Sequence, residues 1–119
     1  MIASLLVEGS TAELQRDELP PETILEGDPE VFSTVLDTSP DGRIIRGIWE
    51  ITPGVVSDVE ADELFVVLSG RATVTLEDGR ELALAPGSVG LLRAGERTVW
   101  RVHERLRKVF QITSAPART

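Results

Sequence analysis

From Val31 to Thr113 the chain reads as short apolar runs rich in Val, Ile, Leu and Thr. Turn chemistry cuts them at intervals of about ten residues, the spacing of sandwiches and closed barrels. The pattern predicts nine strands: Val31–Asp37, Arg43–Thr52, Val55–Asp58, Glu63–Ser69, Arg71–Glu77, Arg80–Ala85, Val89–Leu92, Arg97–His103 and Leu106–Thr113. Ser39-Pro40-Asp41-Gly42, Pro53-Gly54, Ser69-Gly70, Pro86-Gly87 and Ala94-Gly95 supply the turns between them. Asp78-Gly79 is a favoured hairpin pair, because a type I′ turn needs positive φ at both central residues. No stretch sustains a helical period, so a βαβ organisation is disfavoured and the expected class is all-β.

Residues 1–30 follow neither period. Gly9, Pro20, Pro21, Gly27 and Pro29 lie among many acids, which predicts an irregular arm. Thr11 to Gln15 has the composition of one helical turn capped by Thr11, with Pro20-Pro21 stopping it. The apolar Leu5 to Val7 is expected to lie across a barrel edge or to add a strand to a neighbouring subunit, since open strand edges must be covered. That motivates an expected homodimer. Residues 114–119 read as a loose tail after a barrel over 31–113.

Alternation along a strand tells which side chains share a face. Lys108 falls on the apolar face of its run, with Leu106, Phe110 and Ile112. Thr98, Trp100 and Val102 share a face opposite His103, Trp49 shares one with Ile45 and Ile51, and Glu63 shares one with Phe65 and Val67. A carboxylate and a lysine are thus candidates for one interior, with Trp49, Phe65, Thr98, Trp100 and Phe110 as candidate ligand-binding walls. Charges in an apolar interior are costly to desolvate, so Glu63 and Lys108 must pair, meet water or shift their titration. The alternative is that Glu63 stays in solvent at the strand entrance and Lys108 snorkels to the rim.

Composition removes several function classes. The 119 residues and their 41% hydrophobic content suit one domain with one core. A net charge of −8 with no basic face argues against nucleic acid as partner. The absence of cysteine removes thiolate metal sites and thiol nucleophiles, and it agrees with a reducing compartment. Met1 to Glu8 lacks a basic region and has too short an apolar run for a signal peptide or a membrane span, so the expected location is cytoplasmic.

Several ordered phrases resemble one family. They are Gly47-Ile48-Trp49-Glu50-Ile51-Thr52-Pro53-Gly54, Asp62-Glu63-Leu64-Phe65-Val66-Val67-Leu68-Ser69-Gly70, Pro86-Gly87-Ser88, Arg93-Ala94-Gly95 and Trp100-Arg101-Val102-His103-Glu104. They are similar to those of the small single-domain cupins, grouped as ureidoglycine-aminohydrolase-like or ethanolamine-utilisation-Q-like. The resemblance implies an RmlC-like jelly roll, usually homodimeric, whose metal-binding members hold an ion on histidines and a glutamate. Here the glutamate position is Glu63, whereas the histidine positions fall near Ser57, Asp58 and Thr98. Cupin metals depend on several converging imidazoles, so no metal site and no cofactor are expected.

His103, the only histidine, falls on the outward parity. The run Asp58 to Glu63 lacks the spacing of an EF-hand and reads as a solvated acidic loop. No nucleophile elbow or phosphate-binding loop occurs. Three functions stay open. The barrel binds a small molecule without metal, with an anion held by Lys108 as one candidate; or it is an enzyme, either a metal-dependent aminohydrolase or isomerase as the resemblance implies, or a metal-free one using Glu63 and Lys108 for acid/base chemistry; or it is a filled structural dimer module.

Overall fold

The structure is a computed structural model that describes residues 3–115; most of the tail expected over 114–119 lies outside the described residues. Nine strands make up the described fold: β1 (Gln15–Asp17), β2 (Ile24–Glu26), β3 (Val31–Thr38), β4 (Ile44–Ile51), β5 (Gly54–Val59), β6 (Asp62–Thr75), β7 (Glu81–Leu84), β8 (Val89–Leu92) and β9 (Arg97–Thr113). Among the described residues there is no α-helix, and so none long and apolar enough to cross a membrane. The all-β expectation holds.

Two long antiparallel strands, β6 and β9, form the spine. The first half of β9 also pairs with β5 and its second half with β4, while β6 pairs with β8 along its first half and with β7 along its second. Each spine strand therefore serves two neighbours in succession, and the sheet curls around a shared interior. That interior is lined by Phe65, Val67, Val74, Trp100, Val102 and Leu106, all buried.

The sequence pattern predicts a turn at Ser69-Gly70 and a break between the runs ending at His103 and starting at Leu106, and at both places the chain instead runs on. Gly70 takes φ +89° in a bulge, and the register of β6 against β9 shifts between Val67 and Ala72. A bulge inserts unpaired residues into one strand, so the face that points inward changes parity. Inward residues of β6 are odd-numbered before it (Glu63, Phe65, Val67) and even-numbered after it (Ala72, Val74). A Cβ at position 70 would collide with the Arg105 carbonyl, because β9 crosses there at close range. Nine runs were expected from Val31 onward; the structure has seven strands there, because two pairs of runs fuse.

The remaining two strands come from the arm, which is ordered rather than irregular. β1 pairs with β3 through Gln15↔Ser33 to Asp17↔Val31, and β2 pairs with β5. Between them Pro21–Thr23 forms one 3-10 turn, with Pro21 at a position where a missing N–H costs nothing. Thr11 to Gln15 is not helical. It makes a tight turn in which the Thr11 and Ala12 N–H groups donate to the Glu8 carbonyl. Arg107 fixes this segment from the barrel: its Nη1 donates to the carbonyls of Gly9 (2.9 Å) and Ala12 (3.1 Å), while its Nε donates to Glu50 (2.8 Å). Glu50 is buried with this pair and also accepts from Arg105 at 2.7 Å.

Candidate functional site

Strand alternation and the pre-bulge register of β6 bring Glu63, Phe65, Trp49, Trp100 and Lys108 into one end of the barrel. In register terms Trp49 stands opposite Lys108 across β4 and β9, and Lys108 stands opposite Val67 across β9 and β6. Lys108 Nζ donates to Glu63 Oε2 at 2.6 Å, and both side chains are only 7% exposed. The ammonium also lies 4.7 Å from the Trp49 ring centroid, 4.8 Å from Phe65 and 4.7 Å from Trp100. Three ring faces and one carboxylate thus replace water around a single cation, the arrangement that makes a buried ammonium tolerable. Of the two placements open to the sequence, interior or rim, the structure has the interior one.

The aromatic walls are fixed by their own partners. Trp49 and Trp100 meet edge to face, with centroids 5.9 Å apart and planes at 62°. The Trp100 indole N–H donates to Glu60 Oε2 at 2.9 Å, and the Thr98 hydroxyl donates to the same oxygen at 2.6 Å. Glu60 is therefore buried, 7% exposed, in a segment whose charge run predicts a solvated loop. Two donors nearly forty residues downstream draw its carboxylate inward, and nothing local in the sequence signals this.

In front of the pair lies a cavity of about 400 Å³. Its apolar walls are Val31, Trp49, Ile51, Val56, Trp100 and Phe110, and Glu63 and Lys108 reach it from the floor. Its mouth is built by the arm through Asp17 to Pro20, and by Ser57 and Asp58 of β5. Asp58 keeps contact with solvent, yet its pKa is pushed up to about 6, first by burial and then by the negative charge of Glu60. Asp17 accepts a 2.5 Å bond from Ser33.

Five of the seven residues predicted for the site line this cavity: Trp49, Glu63, Trp100, Lys108 and Phe110. Phe65 and Thr98 do not. The Phe65 ring packs over Gly90 beneath the lysine, in space that any Cβ at position 90 would occupy, and Thr98 is spent on Glu60. His103 points outward and meets the Thr73 hydroxyl at 2.9 Å, as its parity predicts. The contributions of Asp17, Glu18 and Leu19 were not readable, because they depend on the arm folding back as β1.

Residues 38–110 match the family of EutQ-like cupin domains. The chain belongs to that family. Among solved structures, this cupin superposes with a TM-score of 0.78 on a protein of unknown function from Pseudomonas syringae pv. tomato, at 24% identity over 87% of the chain. The chain spans about half, 45%, of that protein. A structure from Salmonella typhimurium, provisionally assigned as ethanolamine utilization protein Q, gives 0.73 at 20% identity over 93% of this chain and 86% of its own. The EutQ protein of Clostridium difficile gives 0.64 at 21%, over 74% of this chain and 65% of its own. No curated protein matches the chain. These likenesses establish the cupin jelly roll.

The residues of this cupin do not fit the metal set of metal-binding cupins. Ser57, Asp58 and Thr98 stand where imidazoles would be expected, and the Glu63 carboxylate is engaged by an ammonium. Among the described residues, no three His, Cys, Asp or Glu side chains converge as ligands would.

Proposed function

We propose that this cupin domain binds a small organic molecule in its barrel without using a metal. One observation carries that reading: the cavity of about 400 Å³ has apolar and tryptophan walls and a single buried polar pair at its floor. Binding sites of this kind combine a large apolar lining with a few polar groups that set orientation. The chain's two tryptophans both line it, so occupancy should change their fluorescence. The experiment is a fluorescence screen of small molecules on protein purified without a histidine tag, with its metal content measured in parallel. Saturable changes in folded, metal-free protein are expected. Near-stoichiometric transition metal would overturn the metal-free reading, and a cavity that takes no compound of a chemically broad panel would overturn binding.

A catalytic reading has its own support, because the 2.6 Å carboxylate–ammonium contact faces the cavity and presents a proton acceptor and a proton donor to whatever enters. If it holds, Glu63→Gln and Lys108→Met each abolish turnover while the fold is kept. We also propose that the chain forms a homodimer. Leu64 and Leu91 are register partners on the outer face of β6 and β8, 42% and 60% exposed, and Leu6 of the arm is 97% exposed.

A further inference from the structure

The charges around the cavity are unequal. Among the described residues four carboxylates line it, Asp17 and Glu18 from the arm, Asp58 from β5 and Glu63 from β6, against one cation, Lys108. Lys108 is already matched: Glu63 takes its proton contact and three rings surround the rest of it. Among the described residues an entering anion would find no free cation in the lining, would have to displace Glu63, and would pass three carboxylates at the mouth. An entering cation meets the opposite situation. Among the described residues Asp58 has no cationic hydrogen-bond partner, its Oδ1 accepting the Val59 N–H at 2.8 Å. The walls themselves favour positive charge, as the ring faces around Lys108 show, and Trp49 and Trp100 belong to both the ammonium cage and the cavity lining.

We infer that the cavity takes an organic cation, an amine with an apolar body, whose ammonium sits at the mouth against Asp58 and whose body lies on Trp49, Trp100 and Phe110. This rests on the binding function proposed above and names the class of ligand for it. The anion that the sequence left as a candidate for Lys108 is the disfavoured alternative.

Asp58 also supplies a pH signature. The charged groups that act on it are Glu60 beyond the end of its own strand, Glu63 of β6 and Lys108 of β9, with the uncharged Thr98 opposite it in register, and Glu77 and Arg97 line a second cavity beside it. Asp17 and Glu18 of the arm share the mouth with it. A cation binds the ionised form of Asp58 better than the neutral form. Affinity must therefore rise as pH passes upward through the Asp58 pKa of about 6 and level off above it.

Three probes of one shape separate the possibilities: benzylamine, benzoate and benzyl alcohol, each titrated against tryptophan fluorescence on the full chain. Benzylamine is expected to bind roughly tenfold tighter than benzoate at neutral pH, the combined effect of a partly screened attraction for the one and a like repulsion for the other. Its affinity should climb between about pH 5 and pH 7. In Asp58→Asn, which keeps the acceptor for the Val59 N–H, the climb should vanish and the preference should fall to the part that Asp17 and Glu18 impose on the anion. Benzoate or benzyl alcohol binding as tightly as benzylamine would overturn the cationic preference and leave the cavity's binding role standing. No saturable change with any of the three would overturn the organic-cation proposal, and the broad panel decides the binding role separately.

Discussion

At the scale of single residues, the Glu63–Lys108 pair has the largest consequences. Removing one partner of a buried ion pair leaves an uncompensated charge, which costs about 3–5 kcal/mol, whereas replacing both by apolar groups is often neutral. Lys108→Met should therefore lower unfolding free energy by about that amount. The double variant Glu63→Leu/Lys108→Met should recover most of it, as read from urea denaturation. Equal losses in the single and the double variant would show that the rings, not the carboxylate, hold the lysine. Parity places each of these two residues on a face shared with Phe or Ile, but it leaves both the interior and the rim open to them, and the barrel's closure puts them inside. Glu60 was not legible. Its burial depends on Thr98 and Trp100, which only the closed barrel brings to it.

At the scale of elements, Gly70 is the point on which the spine turns. Its positive φ and the nearby Arg105 carbonyl leave no room for a side chain, so Gly70→Ala imposes both backbone strain and a clash. A loss of about 1–3 kcal/mol is expected, seen as a lower urea midpoint with an unchanged slope. The change should also disturb the register between Val67 and Ala72, where hydrogen exchange would rise first. Ser69-Gly70 reads as a hairpin turn in the sequence because a glycine at positive φ serves a turn and a bulge alike. The difference lies in whether the next run pairs with the previous one or continues beside the same partner. Here both halves of β6 pair with β9, so the chain continues. The arm was misread for a related reason: β1 and β2 are three residues each, too short to show a period, and exist only because β3 and β5 offer edges to pair with.

At the scale of the whole molecule, Leu64 and Leu91 on the outer face of β6 and β8 stay exposed among the described residues of one copy of the chain. If a second copy covers them, sedimentation velocity at micromolar concentration should show a dimer, and Leu91→Glu should shift it to monomer with little change in melting temperature. A wild-type chain that sediments as a monomer would remove the dimer proposal. The order of apolar runs and Pro-Gly turns determined by itself that the chain is an all-β barrel, because strand period and turn chemistry are local properties that need no partner to be expressed. Parity also determined which face carries the lysine, the glutamate and the tryptophans. Only the tertiary structure decided that the ammonium is caged and paired, that Glu60 turns inward, and that arm carboxylates rim the cavity. Each of those depends on contacts between segments far apart in the chain, and closure of the barrel sets their distances.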